Sequence, residues 1–257
     1  MSVDERYESA LTVLRAAAER GLDWFQKASL DVEHKGDGSP VTAADRDLES
    51  FLRAELGALF PEDGFLGEEF PETPGTSGGR WIADPIDGTK SFIHGTPLWT
   101  TLLAYETAEG VQFGAISCPA TGQLVYAQRG KGCFDQAGRR VSASKKTDLD
   151  GAYVMASWLE QWPLPLIDQL QSGGTVVRTW GDAFGYLLVA QGHAEAMVDF
   201  EVSPFDIAPM PVILEEAGAV FTDLAGERSI YNGHSIGAAT PEIHQALLAR
   251  LQAASQS

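Results

Sequence analysis

Arg80-Trp81-Ile82-Ala83-Asp84-Pro85-Ile86-Asp87-Gly88-Thr89-Lys90-Ser91-Phe92-Ile93-His94-Gly95 is the stretch around which the rest of the chain is read. The apolar run Trp81-Ile82-Ala83 predicts a strand that stops at Asp84-Pro85, and a second carboxylate, Asp87, follows three residues later. Asp, Pro and Gly together would account for a simple turn. They do not account for what comes next, because Gly88-Thr89 leads into Lys90-Ser91-Phe92, which reads as a helix start. Free backbone N–H groups and the positive end of the helix dipole suit a phosphate there. Two carboxylates beside an anion site require a cation between them.

Composition narrows what that cation and anion can belong to. The chain has 257 residues, 44% of them hydrophobic, and 18 Lys and Arg against 36 Asp and Glu, for a net charge of -18. Such an excess of negative charge repels nucleic-acid backbones and anionic membrane surfaces, so neither is expected as a partner. Two cysteines, Cys118 and Cys133, without Cys-x-x-Cys spacing or a histidine partner, support neither a disulfide framework nor a zinc site and are expected as core thiols. Met1 to Arg6 lacks the basic and apolar regions of a signal peptide, and no run approaches the length of a membrane span. A cytoplasmic protein is expected.

Outward from the opening stretch, periodicity predicts the elements. Tyr7, Leu11, Leu14, Ala18, Leu22 and Phe25 share one face of a helix over Asp4 to Ala28. A polar Gly/Pro loop, Asp31 to Pro40, precedes a second helix that starts near Thr42 and carries Leu48, Phe51, Leu52, Leu56 and Leu59. Asp45 falls in its first turn, where the dipole alone would favour a carboxylate. Phe65 and Leu66 end in Gly67-Glu68-Glu69, and adjacent glutamates on a loop are ordinarily solvated. Leu98 to Tyr105, Val111 to Ser117 and Gln123 to Gln128 alternate as a meander of antiparallel strands. The polar segment Ser144 to Asp150 divides an N-terminal α+β half (1–145) from a C-terminal α/β half (146–257), in which strands at 152–156, 176–177, 194–200 and 219–223 alternate with helices. There Ser203-Pro204-Phe205-Asp206 opens a helix with Ser as N-cap, Pro at the first helical position and Asp at N3, and Pro209 and Pro211 predict a kink.

Five acids sit at element ends: Asp45, Glu68, Asp84, Asp87 and Asp206. Hard oxygen ligands without His or Cys suit Mg²⁺, which binds through carboxylates and substrate phosphate. Ser39-Pro40-Val41-Thr42-Ala43-Ala44-Asp45, Gly67-Glu68-Glu69, Asp84-Pro85-Ile86-Asp87-Gly88-Thr89 and Ser203-Pro204-Phe205-Asp206, in that order, resemble the signature motifs of the inositol monophosphatase family of metal-dependent phosphatases. The resemblance implies a layered α/β/α/β/α sandwich of the inositol monophosphatase and fructose-1,6-bisphosphatase type, usually homodimeric, that hydrolyses small phosphomonoesters with two or three Mg²⁺ ions. By position it implies that Glu68, Asp84 and the Ile86 carbonyl hold a first metal, that Asp84, Asp87 and Asp206 hold a second, and that Glu68 reaches a third through water. Gly88 and Thr89 would cradle the phosphate. The nucleophile would be a metal-activated water oriented by Glu68 and by Thr89, whose hydroxyl would be held by Asp45. Lys35 resembles the family's mobile-loop lysine, and Glu69 completes the Gly-Glu-Glu motif.

The phosphate motifs leave the alcohol open. Trp180-Gly181-Asp182-Ala183-Phe184-Gly185-Tyr186 looks closer to the histidinol-phosphatase branch than to the inositol branch, which tends to have a small or hydroxyl residue in place of Asp182. Asp182 and Asp199, the latter matching the family's substrate-binding carboxylate, would attract the ammonium and imidazole of L-histidinol phosphate. A helix N-cap is the competing reading for Asp182. Asp87 borders the same substrate position, with Gly181 beside Asp182. Other expectations are hydrolysis of inositol 1-phosphate or another polyol or sugar phosphate, and, from a different class, a non-catalytic metal- or phosphate-binding regulator. A 3′-phosphorylated nucleotide would ask for basic and stacking residues that do not cluster here. The five histidines show no ligand spacing.

Overall fold

The computed structural model describes residues 3–25, 32–34 and 40–254. Helix α1 (Val3–Phe25) buries Tyr7, Leu11, Leu14 and Ala18 at three- and four-residue intervals, as the 3.6-residue period requires. Its expected continuation to Ala28 lies outside the described residues. Strands β1 (Val32–His34) and β2 (Pro40–Thr42) pair antiparallel, and β2 runs straight into α2 (Ala43–Leu59). Thr42 starts that helix: its hydroxyl accepts from the Ala44 amide at 3.1 Å while its own amide donates to Asp45 Oδ2 at 2.7 Å, a reciprocal capping box.

The first sheet is built from β3 (Gly64–Gly67), β4 (Arg80–Asp87), β5 (Thr100–Thr107), β6 (Gly110–Cys118), β7 (Gln123–Gln128) and β8 (Gly132–Asp135), with the short helix α3 (Thr89–Ile93) between β4 and β5. The strands lie side by side in chain order, parallel between β3 and β4 and antiparallel thereafter. Side chains alternate between two cores. Trp81, Ala83, Leu103 and Tyr105 pack under α1 and α2, while Ile82, Leu102 and Ala104 face the opposite way. Both faces are covered, so these strands are apolar almost throughout.

The second sheet follows from β9 (Tyr153–Met155), α4 (Leu164–Ser172), β10 (Val176–Arg178), α5 (Ala183–Ala190), β11 (Ala196–Asp199), α6 (Pro204–Ile207), α7 (Met210–Glu216), β12 (Val220–Thr222), β13 (Ser235–Ala238) and α8 (Pro241–Ala254). Its strand order is β10-β9-β11-β13-β12. Helices α5 and α7 lie between the two sheets and touch both, whereas α4 and α8 cover the outer face of the second. Five layers result, helix, sheet, helix, sheet, helix, as the resemblance implied. The middle core draws on both halves of the chain, from Ile82 and Ile116 to Met197 and Leu214. Gly114 on β6 allows a close approach: a Cβ there would sit 2.7 Å from the Pro209 carbonyl oxygen at the start of α7.

Two local expectations change. Strand β4 does not stop at Asp84-Pro85 but continues to Asp87, with a register shift between the pairs Asp84–Leu102 and Asp87–Thr100. Three residue steps on β4 oppose two on β5, which makes a β-bulge where proline has no N–H to give the ladder. The predicted kink near Pro209 is a full break, with α6 ending at Ile207 and α7 beginning at Met210.

One buried acid ties the outer layer to the first sheet. The Asp63 side chain, 1% exposed, accepts from the Arg6 guanidinium, from Ser77 Oγ at 2.7 Å, from the Trp81 indole N–H at 3.0 Å and from the Tyr105 hydroxyl at 3.3 Å. Asp63→Ala would strand those donors and is expected to cost about 2–4 kcal/mol, lowering Tm by roughly 5–10 °C in thermal denaturation. A Tm within about 1 °C of the native protein's would show the four contacts to be energetically idle.

Candidate active site

Asp84 and Asp87 are an odd number of residues apart, so on a regular strand they would point to opposite faces. The bulge absorbs one residue and brings both into a single cleft of about 970 Å³. Asp206 arrives from the first turn of α6. Oxygens of Asp84, Asp87 and Asp206 lie within 4.8 Å of one another, and among the described residues these three form the group able to hold a metal ion.

Each of the three is anchored through one oxygen. Asp84 Oδ1 accepts from the Ile86 amide at 3.0 Å. Asp206 Oδ2 accepts from the Ser203 amide at 2.7 Å, the capping box that the Ser-Pro-x-Asp pattern predicts. Asp87 Oδ2 accepts from Thr100 Oγ1 and from the Ala183 amide, both at 2.8 Å, so a strand carboxylate caps helix α5.

The cluster is electrostatically incomplete. Burial, followed by the charges of Glu68, Asp87 and Asp206, pushes Asp84 well above the usual carboxylate range. Burial and then Asp182 and Asp206 do the same to Asp87, and burial first of all takes Asp206 up to about 7. Two like charges about 4.8 Å apart repel by about 3 kcal/mol at an effective dielectric of 20. A divalent cation removes that cost, and an all-carboxylate donor set selects a hard, oxygen-seeking ion. The residues present fit such an ion.

Glu68 follows β3 into the cleft, and Ile86, Gly88 and Thr89 line it as well. Gly88 has φ 80°, and a Cβ on it would meet Asp182 Oδ2 at 2.9 Å, so glycine is required twice over. The Thr89 hydroxyl differs from expectation. It donates to the Ile86 carbonyl at 3.2 Å, while the Asp45 carboxylate is engaged by the Thr42 amide and hydroxyl at 2.7 and 2.6 Å. Asp45 is therefore the N3 partner of Thr42 in the capping box of α2, and it reaches the cluster here only as one of the charges that raise Asp84.

The substrate side is also rearranged. Asp182 occupies the N-cap position of α5 without making a side-chain cap bond, because Asp87 fills that role. Its φ of 53° is the one positive value on a non-glycine residue among those described, a strained conformation that holds its carboxylate against Gly88. Burial and Asp199 push its pKa up to about 6. Gly181 serves the backbone: a Cβ there would lie 2.3 Å from Ser157 Cα, and the close approach lets the Asp182 amide donate to Ser157 Oγ at 2.8 Å. Asp199 lines the cleft, but both of its oxygens accept from protein, from Tyr186 OH at 2.8 Å and the Ser157 amide at 3.3 Å. Lys35 lies outside the described residues. Glu69 is half-buried near Asp45, whose pKa is raised chiefly by burial, with the Glu69 charge adding to the rise. Among the histidines, His94 Nδ1 meets the Lys90 carbonyl at 2.8 Å and His244 is buried against Thr222.

Sequence reasoning passed over Glu49. This carboxylate is fully buried and accepts from the Glu69 amide at 2.6 Å, the Phe70 amide at 3.3 Å and Arg53 Nε at 2.8 Å. Arg53 extends the hold to the Phe70 carbonyl and Thr73. Gly67 passes so close that a Cβ would stand 2.3 Å from Glu49 Oε1. Glu49 thus fixes the turn that carries Glu68. The signal was an acid at 49 on the face of α2 otherwise occupied by Leu48, Leu52 and Leu56.

A model of the inositol monophosphatase family matches residues 2–257. The chain belongs to that family. It is 41% identical to a histidinol-phosphatase of Chlorobaculum parvum over 94% of this chain and 95% of that one. It is 36% identical to a histidinol-phosphatase of Mycobacterium tuberculosis, covering 89% of this chain and 91% of the relative. Among solved structures, the extragenic suppressor protein suhB of Bartonella henselae superposes with a TM-score of 0.89 at 26% identity, over 95% of this chain and 97% of that one. Family members of this kind are phosphoric monoester hydrolases, and so is this protein. The regulator alternative does not apply. No described helix is long and apolar enough to cross a membrane.

Two outcomes are expected. For metal-free protein, Asp206 carries a folded pKa of about 7 against an ordinary value of 3.8. The folded state holds the extra proton between those values, so this group's destabilising effect is absent below about pH 4 and grows to full size above about pH 7. Asp206→Asn should then raise the Tm of metal-free protein at pH 8, with the gain shrinking towards pH 5; a gain independent of pH would refute the repulsion. Separately, Glu49→Gln keeps shape and one acceptor oxygen, and should raise the Mg²⁺ concentration for half-maximal activity about tenfold. An unaltered Mg²⁺ dependence would mean that the Glu68 turn holds without Glu49.

Proposed function

We propose that the protein is a Mg²⁺-dependent phosphomonoesterase that converts L-histidinol phosphate to L-histidinol and phosphate. The observation that carries the substrate is Asp182: a strained, half-buried carboxylate pressed against Gly88, one residue from Thr89, in a cleft where, among the described residues, eight carboxylates face a single lysine. A phosphate ester whose alcohol bears an ammonium and an imidazole matches that charge, and a neutral polyol does not. Relatives named as histidinol-phosphatases, at 34–41% identity, against 30–31% for those named as inositol-1-monophosphatases, support the same reading.

In this reading Glu68, Asp84, Asp87, Asp206 and the Ile86 carbonyl would hold two or three Mg²⁺ ions. Bound Mg²⁺ supplies neutralisation of the phosphate charge and acidification of a water. Gly88 and Thr89 take the phosphate through their backbone N–H groups at the start of α3. Glu68 accepts the proton of the attacking water, and Thr89 orients that water, its hydroxyl switching from the Ile86 carbonyl as substrate arrives. Asp45, in the first turn of α2 with Glu69 near it, would take up the Thr89 hydroxyl once it leaves the Ile86 carbonyl, and Lys35 is the proposed lysine of the site. Asp182 takes the substrate ammonium, with Asp87 bordering it, while Asp199, held by Tyr186 and Ser157, contributes negative potential. A cytoplasmic homodimer fits the resemblance. Tyr153 and Trp180, both exposed and stacked with centroids 6.0 Å apart on the β9–β10 end of the second sheet, support an interface there.

The test is a comparison of kcat/KM for L-histidinol phosphate and myo-inositol 1-phosphate, with Mg²⁺ and with EDTA. The histidinol ester should be preferred, EDTA should abolish release, and Asp182→Asn should cut the histidinol preference by about tenfold. Asp87→Asn should abolish turnover of both esters. A native preference for the inositol ester, or an Asp182→Asn protein with intact preference, would refute the assignment.

A further inference from the structure

Outward from the acid cluster, the cleft is walled by Lys90, Trp158, Glu160, Gln161 and Glu201. Lys90 is the single cationic side chain among the described residues that line it, against eight carboxylates. Its charge offsets a little of the rise that burial and Asp199 cause in the Asp182 pKa, yet its ammonium lies 3.8 Å from the centre of the Trp158 ring. The half-buried indole therefore already binds a cation on the face it turns to the cleft. Rim acids stand next to it, and Glu201 is oriented by Gln161 Nε2 at 2.5 Å.

Lys90 directly follows Gly88 and Thr89 on α3. A phosphate dianion seated on that turn offers its ammonium a stronger partner than an indole face, because a charge-assisted hydrogen bond outweighs a cation–π contact at a hydrated rim. When Lys90 moves to the phosphate, the Trp158 face is bared at the time when the alcohol portion of the substrate must be placed. We infer that Trp158 is the seat of a flat, protonatable ring on the leaving alcohol, and that Lys90 holds this seat until phosphate draws it away. This rests on the histidinol phosphate reading and extends it. Asp182 takes the ammonium near the ester, Trp158 stacks the imidazole further out, and Glu160 and Glu201 favour its protonated form. A saturated polyol has neither the charge nor the π face to use this wall.

The experiment has a binding arm and a kinetic arm. L-Histidinol, which has the ring and ammonium but no phosphate, is titrated by calorimetry into native, Trp158→Ala, Trp158→Phe and Lys90→Met proteins. With inorganic phosphate present to draw Lys90 off the ring, Trp158→Ala should weaken binding about tenfold and Trp158→Phe should stay within about threefold of native; without phosphate, Lys90→Met should bind more tightly than native because the seat is no longer occupied. In the kinetic arm, the ratio of kcat/KM for L-histidinol phosphate to that for glycerol 2-phosphate, which lacks a ring, should fall about tenfold in Trp158→Ala. An unchanged ratio and an unchanged Kd in Trp158→Ala would overturn the proposal, as would a Phe variant as impaired as the Ala variant. Unchanged or weaker histidinol binding by Lys90→Met would overturn the role given to Lys90. If the native protein cleaves glycerol 2-phosphate but not L-histidinol phosphate, it is the substrate reading that fails.

Discussion

Three carboxylates, two buried and one half-buried, forced within 4.8 Å of each other are the constraint on which the rest of this structure depends. A fold gains nothing by such an arrangement on its own, since burial and like charge both oppose ionisation. The surrounding elements absorb the strain by giving each acid fixed donors: an amide of its own strand for Asp84, a helix cap for Asp206, and the Thr100 hydroxyl with another helix's first amide for Asp87. The remaining valence is satisfied when a cation is present. The apparent weakness of the cluster is thus the source of its affinity for a hard divalent ion.

The five-layer arrangement serves that cluster by bringing element ends together. Strand β4 lies within a sheet covered on both faces, which makes its end rigid, and helices α5 and α6 start where the same end emerges. Helix N-termini and strand ends converge on one cleft, so backbone N–H groups for an anion and carboxylates for a cation meet without long loops. The outer wall is of different make: Ser157 to Gln161 connect β9 to α4 and carry Trp158 and Glu160. On the proposed function, the strand and helix ends concern phosphate, and the connecting wall concerns whatever the phosphate is attached to.

Much of this was legible in the amino-acid order. Alternation in the meander, the apolar face of α1, the capping pattern at Ser203 to Asp206 and the motif acids were readable because each depends on neighbours close in sequence. The bulge at Pro85 was not, since a strand reading ended where the ladder merely slipped by one residue. The bond from Ala183 to Asp87 spans 96 positions and leaves no local trace. Asp182 looked like an N-cap or a substrate ligand; it holds the cap position while a distant acid does the capping. The hydrogen bonds that Tyr186 and the Ser157 amide give to Asp199 likewise leave no local trace in the sequence. Glu49 was overlooked because a glutamate in a helix is ordinarily solvated, and only tertiary contact reveals the turn it holds.

The Asp87–Ala183 bond joins two properties that are usually considered separately. The carboxylate proposed to bind metal also sets where helix α5 begins, and Asp182 is the residue immediately before that beginning. A shift of α5 to suit another alcohol would drag on the proposed metal ligand, and a change at Asp87 would misplace the residue proposed to read the alcohol. Diversification of substrate on this scaffold is therefore confined to exchanging side chains at fixed backbone positions or rebuilding the outer wall, with the helix itself held as a common strut.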